Sequence, residues 1–293
     1  MPSNRREIRT RIRSVKNTQQ ITRAMQMVAA AKVRRARERV VASKPFADAV
    51  TEVFAQVVEQ IPPGEYRSPF LVSRPVKKVA LVVITSDRGL CGGYNSNVIR
   101  FAMNRHRHWT ESGVSPQLVL VGTKAVQFFR TGPYTVAAKY QNFSAIPNFS
   151  EAAEIVKQAC AMYASGDVDR VEFIYTNFRS MVSLVPVSVT LLPVAMAEAG
   201  GVASRSTVRP QYAFEPSAEA VMDAIIPKYL ESVVYQALLE AAASELAARM
   251  TAMSAASKNA KELATALTLV YNKARQAAIT QEILEVVGGA AAL

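Results

Sequence analysis

The residues best suited to chemistry lie in one stretch, Thr85-Ser86-Asp87-Arg88-Gly89-Leu90-Cys91-Gly92-Gly93-Tyr94-Asn95. It follows the apolar, strand-sized run Val79–Ile84 and precedes a helical pattern. Open α/β sheets bind ligands at such carboxyl-end turns. Glycines and a helix N-terminus suit a phosphate, because unpaired N–H groups and the helix dipole attract negative charge. The spacing, however, is neither GxGxxG nor GxxxxGK[ST], and the same residues serve as a tight turn or a protein-contact loop. Cys91 would act as a nucleophile only if Arg88 and the helix terminus stabilised its thiolate, and no histidine stands near it in sequence. The only two histidines lie in Arg105-His106-Arg107-His108. Two apart on a helix, they do not share a face and read as solvated. No paired carboxylates, metal-spaced cysteines or triad emerge from the pattern. The sequence therefore predicts no catalytic residue, no cofactor and no metal site in this chain alone.

The elements that must position this loop alternate in type. Strand patterns at Val79–Thr85, Gln117–Val121 and Tyr134–Tyr140 interleave with helical patterns at Asn95–His108 and Lys124–Arg130. A further helix is expected at Ser150–Ser165, with Ser150 as its cap and Glu151 and Glu154 in its first turn. Val171–Thr176 and Val182–Leu192 read as a closing antiparallel pair. This rhythm predicts a small Rossmann-like α/β domain over 77–194, flanked by linkers at 62–76 and 195–215.

The two ends of the chain carry a different period. Ile8, Ile12, Val15, Gln19, Thr22, Gln26, Ala29, Val33, Ala36, Val40, Ser43, Ala47, Val50, Phe54, Val57 and Ile61 are spaced alternately by four and three. Such persistence predicts a coiled-coil helix over 1–61. Ser3 or Asn4 would cap it, Pro45 would loosen it and Pro62-Pro63-Gly64 would end it. A second seam reads Leu239, Ala242, Leu246, Arg249, Met253, Ala256, Ala260, Leu263, Leu267, Val270, Ala274, Ala277, Gln281 and Leu284, within a C-terminal segment 216–293 that Gly288-Gly289 should stop. Two such seams in one chain should pair, antiparallel. The longer second helix would leave Ile279, Ile283, Leu284, Val286 and Val287 bare, and a bare apolar tip calls for a sleeve from another protein. The alternative is that each helix packs separately on a globular core.

Charge sharpens the reading. The chain of 293 residues carries +12, and residues 1–44 hold 13 Lys/Arg against only Glu7 and Glu38. A cationic end attracts nucleic acid, a membrane surface or an acidic protein. Nucleic acid is disfavoured: in bZIP proteins the basic region adjoins the zipper, whereas here it is the seam-bearing helix itself, and it lacks interleaved aromatics. The Arg-rich start resembles a transit peptide, yet the helical pattern runs on from Ile8 without a cleavage-like break, which reads as a mature N-terminus. No run approaches the ~18 apolar residues of a membrane span. Cys91 and Cys160 suggest no disulfide framework and fit a reducing compartment.

Three stretches resemble the gamma subunits of F-type ATP synthases. They are Ile12–Lys32 (IRSVKNT, then ITRAMQMVAAAK), the loop Ser86–Asn95 (SDRGLCGGYN), and Tyr271–Glu282 (YNKARQAAITQE). The resemblance covers the whole chain in order. It implies a central stalk whose coiled coil enters the ring of alpha and beta subunits. Its middle domain would stand on the membrane rotor ring of c subunits beside epsilon, and proton flow would turn it. Met25 and Arg249 would lie level with the moving acidic loop of beta. Arg275, Gln276, Thr280 and Glu282 would grip beta higher up. Ser86, Asp87, Arg88, Gly89, Leu90, Cys91, Gly92, Gly93, Tyr94 and Asn95 would face epsilon and the ring. The implied location is the cytoplasmic face of a bacterial plasma membrane, or the thylakoid equivalent, through the complex only. Chloroplast relatives carry a cysteine-bearing segment before the last helix. Residues 195–215 hold no cysteine, so that thiol switch is not expected.

Overall fold

The computed structural model describes residues 2–60, 68–143, 146–181, 183–194, 215 and 217–291. Helix α1 spans Pro2–Gln60 and continues through Pro45. Between it and the last helix lie β1 (Lys78–Ile84), α2 (Tyr94–Glu111), β2 (Ser115–Val121), α3 (Thr123–Phe129), β3 (Val136–Tyr140), α4 (Phe149–Ala164), β4 (Arg170–Phe178) and β5 (Leu184–Leu192). Helix α5 spans Ala218–Ala291. It runs on through Gly288-Gly289, which therefore do not stop it: glycine costs a helix only about 1 kcal/mol. The expected Pro62-Pro63-Gly64 stop and nearly all of the 195–215 linker fall outside the described residues.

The sheet order is β3-β2-β1-β4-β5. Four strands are parallel, and β5 returns antiparallel along β4. Successive β1 side chains alternate between faces, and both faces are covered. Val79, Leu81 and Val83 pack with Val98, Ile99 and Ala102 of α2 and with Ala125 and Phe129 of α3. Ala80, Val82 and Ile84 face the other way. They join Ile155 and Tyr163 of α4, Phe54 and Val57 of α1, and Met222, Ile226 and Leu230 of α5. A strand buried on both faces must be apolar at nearly every position, which is why β1 reads as an unbroken hydrophobic run. Helix α4 is capped by Asn148, not Ser150: Asn148 and Glu151 form a reciprocal capping box, and Ser150 sits inside the first turn.

The contacts divide the chain into two units, Met1–Ala30 with Arg249–Leu293, and Ala31–Ala248. In the first, Arg5 at the start of α1 lies 3.7 Å from Glu282 near the end of α5, so the helices run antiparallel. Seam positions Ile8, Ile12, Val15, Gln19 and Gln26 are half-buried, and Thr22 and Ala29 are buried. Thr22 satisfies its hydroxyl within its own helix, on the carbonyls of Thr18 and Gln19 at 2.9 and 3.1 Å. That makes a buried polar layer tolerable.

The α5 seam follows the expected register to Ala260; beyond it Leu267 and Ala274 stay covered as expected, while Ala264, Tyr271 and Ala278 take the places of Leu263, Val270 and Ala277. The covered positions are Met253, Ala256, Ala260, Ala264, Leu267, Tyr271, Ala274 and Ala278, while Leu263 and Val270 are 45% and 54% exposed. Two consecutive steps of four make a three-four-four spacing, the ~11-residue period that relaxes a left-handed supercoil. The expected outcome of this register is asymmetric. Tyr271→Glu should destabilise the purified chain by about 1–3 kcal/mol through a charge placed in the seam. Val270→Glu should change its denaturation midpoint little. The opposite ranking would restore the register read from sequence.

Candidate functional site

The end of β1 turns at Thr85, whose side chain is built into the neighbouring strand and helix. Its hydroxyl donates to the Val121 carbonyl at 3.1 Å and accepts from the Ala125 amide at 2.9 Å. Gly122, at φ +94°, passes so close that a Cβ there would lie 2.3 Å from the Thr85 carbonyl oxygen. The Asp87 carboxylate reaches across to the start of α3. It accepts from the Thr123 amide at 2.8 Å, the Thr123 hydroxyl at 2.5 Å and the Asn142 amide at 3.1 Å. A carboxylate at a helix N-terminus is favourable in itself, so the anion-binding end of α3 is filled from within the chain.

Asn95 closes the loop at its other end. Its Oδ1 accepts from the Ser86 amide at 3.0 Å, and its Nδ2 donates to Ser86 Oγ at 2.9 Å and Cys91 Sγ at 3.1 Å. Ser86 Oγ lies 2.7 Å from the Arg88 carbonyl. Cys91 is buried, and Leu90, at φ 63°, is turned out to solvent. The loop is thus a closed turn, tied together through Ser86, Cys91 and Asn95.

The crevice at the carboxyl ends of β1 and β4 is where a doubly wound sheet ordinarily receives a ligand. Here α5 occupies it. Tyr94 is buried and faces Thr176 of β4 and Glu245 of α5; burial first, then the Glu245 charge, pushes its phenol upward. Ser244 donates to the Thr176 carbonyl at 3.1 Å. Asn177 donates to Glu240 at 3.0 Å. Glu240 has its carboxyl raised, chiefly by burial, against the lowering effects of Gln236 and Lys44. None of Thr176, Asn177, Glu240, Ser244 and Glu245 was marked by the sequence, because nothing local announces a contact made 68 residues away.

Other reactive groups are spoken for. His106 is half-buried, edge-on to Tyr134 at 5.1 Å, with its pKa lowered by desolvation; it is not the solvated group expected. His108 is exposed beside Trp109. Burial, then Glu231, pushes the Cys160 thiol up to about 11, which removes thiolate at neutral pH. Glu172, 1% exposed, is clamped by Arg105 at 2.6 Å and Arg170 at 3.0 Å. A cavity of about 330 Å³ lies among Arg39, Phe46, Phe149, Ser232, Tyr235 and Gln236, away from the loop and without a carboxylate. Among the described residues no cluster of His, Cys, Asp or Glu could hold a metal, and no helix is long and apolar enough to cross a membrane.

The remaining residues of interest lie in the first unit. Met25 and Arg249 are half-buried; Arg275, Gln276 and Thr280 are exposed. Glu282 is exposed and paired with Arg5. Cover on α5 ends at Ala278. Ile279, Ile283, Leu284, Val286 and Val287 are all exposed, Val286 by 72%.

One unit is thus a pair of antiparallel helices from the two ends of the chain, and the other holds a doubly wound sheet covered by helices. The sequence model of the family described as ATP synthase matches residues 4–293. The ATP synthase gamma chain of Gloeothece citriformis is 47% identical and that of Nostoc punctiforme 48%, each aligned over 99% of both chains. These alignments extend over 312 and 313 positions, so the relatives hold residues that this chain lacks. A chain in the central stalk and c-ring structure of the Tetrahymena thermophila mitochondrial ATP synthase is 31% identical, with a TM-score of 0.61. The match covers 81% of this chain and 99% of that one. A chain from the Euglena gracilis mitochondrial enzyme, 20% identical, shares the fold at a TM-score of 0.70, over 100% of this chain and 95% of that one. The chain belongs to the ATP synthase gamma-chain family. The nucleic-acid reading finds no support among these relatives.

Proposed function

We propose that this chain is the central rotor shaft of a proton-translocating F-type ATP synthase, and that it performs no catalytic chemistry of its own. The shaft couples turning of the membrane ring to changes of affinity at nucleotide sites on beta. Its partners are the alpha and beta subunits, epsilon and the ring of c subunits. It sits on the cytoplasmic face of the membrane, or its thylakoid equivalent, held there by the complex. The observation that carries this reading is the uncovered apolar end of α5 beyond Ala278, on a helix whose seam positions are covered from Met253 to Ala278. Exposed apolar surface of that kind persists where a partner covers it.

In this reading Met25 and Arg249 meet the moving acidic loop of beta. Arg275, Gln276, Thr280 and Glu282 form the upper grip. Ser86–Asn95 faces epsilon and the ring, with Leu90 presented outward by its positive φ. Exposed charge contacts are individually weak, about 0–1 kcal/mol, which suits contacts that must exchange as a shaft turns. Deleting residues 275–293 should abolish copurification with a membrane-attached ATPase while leaving the α/β domain folded by circular dichroism. Retention of the truncated chain in the complex at wild-type yield would sink the reading.

A further inference from the structure

One layer of the second unit is crossed by an unbroken chain of polar side chains joining three elements. Ser43 of α1 donates to Gln236 Oε1 of α5 at 2.7 Å. Gln236 Nε2 donates to Glu240 Oε1, one turn further along, at 3.2 Å. Asn177 Nδ2 of β4 donates to Glu240 Oε2 at 3.0 Å. Lys44 and Tyr175 also face the carboxylate and feel its charge. The line thus runs from the first helix, through the second, to the sheet.

Apolar packing lies on both sides of it. One neighbouring cluster is Val33, Ala36, Ala243, Leu246 and Ala247. The other contains Val234, Leu238 and Ala241. Small aliphatic side chains pack closely but resist sliding or rotation only weakly, because their contacts are non-directional. A linked set of hydrogen bonds has one satisfied arrangement, and polar groups in a helical seam fix register in this way. A half-buried carboxylate is a poor choice for stability alone, since an apolar side chain of similar size often does as well or better. Its advantage is a defined position.

We propose that Glu240 is a positioning residue for torque transfer. With Asn177, Gln236 and Ser43 it holds the α/β domain at a fixed angle and height on the helix pair, so that the domain does not yield under load. This rests on the rotor reading above.

The test uses the assembled, membrane-reconstituted complex carrying Glu240→Ala, Asn177→Ala, the double variant, Ser43→Ala or Glu240→Gln. Protons pumped per ATP hydrolysed are measured beside the thermal midpoint of the complex. Glu240→Ala and Asn177→Ala should each lower that ratio several-fold. The double variant should be no worse than either alone, because the two act through one contact. Glu240→Gln keeps an acceptor for Asn177 and should pump close to wild type. Ser43→Ala, at the accessible end of the line, should show a smaller loss in the same direction. If Glu240→Ala does not assemble, Asn177→Ala and Ser43→Ala decide. An unchanged ratio in an assembled Asn177→Ala complex, or losses that add in the double variant, would overturn the proposal. Failure of the wild-type chain to enter any ATPase complex would overturn the rotor reading instead.

Discussion

Glu172→Ala should cost the α/β domain about 3 kcal/mol, lowering its thermal midpoint by roughly 6–12 °C. The carboxylate is the single negative centre of a cluster that holds two cations. Arg105 bonds it through Nε at 3.0 Å and Nη2 at 2.6 Å. Arg170 bonds it through Nε at 3.0 Å, and Ser188 adds a hydroxyl at 3.0 Å. Both guanidiniums also lie over the Trp109 ring, at 5.4 and 5.6 Å. Deleting the carboxylate leaves two like charges side by side against an aromatic face. Removing one partner of a buried pair costs about 3–5 kcal/mol. The lower end applies because Arg105 and Arg170 keep 29% and 32% of their side-chain surface and can draw in water. Replacing Arg105 and Glu172 together by methionine should recover part of the loss, since one of the two uncompensated charges goes with the carboxylate while Arg170 keeps only its bond to Thr190 at 2.6 Å. Denaturant unfolding of the purified chain measures both. An E172A midpoint within error of wild type would mean that solvent already screens the cluster.

This cluster was not legible in the sequence, and the reason is physical. Arg105, Arg170 and Glu172 come from α2 and β4, and only the crossover between them sets the distances. What was legible has a period. The α1 seam is read correctly from Ile8 to Val57, because Ile8, Ile12, Val15, Val33 and Val40 contrast with the arginines around them and fix the register for the positions between and beyond. The α5 seam is misread at alternate positions after Ala260, at Leu263, Val270 and Ala277, because alanine supplies little contrast there. Leu263 and Val270 are the aliphatic residues at the three-four spacing, so the pattern places them inward, yet Ala264 is buried and Tyr271 half-buried in their stead. At Ala264 close approach of the two helices favours the smaller side chain over Leu263. The turn Ser86–Asn95 was legible as a turn, through its glycines. That its crevice is filled by Ser244 and Glu245 was not, since a helix seam reports only the face that repeats. The roles of Met25, Arg249, Arg275, Gln276, Thr280 and Glu282 came from family likeness, and their exposure alone does not assign them.

Gly122→Ala should be worse still, at about 3–5 kcal/mol, from two independent costs. At φ +94° an L-residue is strained by about 1–3 kcal/mol. The added methyl would also stand 2.3 Å from the Thr85 carbonyl oxygen and 2.8 Å from its hydroxyl. Overpacking of that kind typically costs a further 1–3 kcal/mol. Nothing there can step aside cheaply. The Thr85 amide bonds the Val121 carbonyl at 2.8 Å, and the Thr85 hydroxyl ties the same carbonyl to the Ala125 amide. Shifting Thr85 would therefore pull β1 from β2 and tilt α3, and Asp87 would lose its grip on Thr123. Gly113 is the natural control. It has φ +76° but open space around the would-be methyl, so Gly113→Ala should cost only about 1–2 kcal/mol, the backbone term alone. Chemical denaturation of the two variants separates strain from collision. Equal losses at the two positions would show that the close approach of Gly122 to Thr85 relaxes freely, and that the loop is held less tightly than its hydrogen bonds imply.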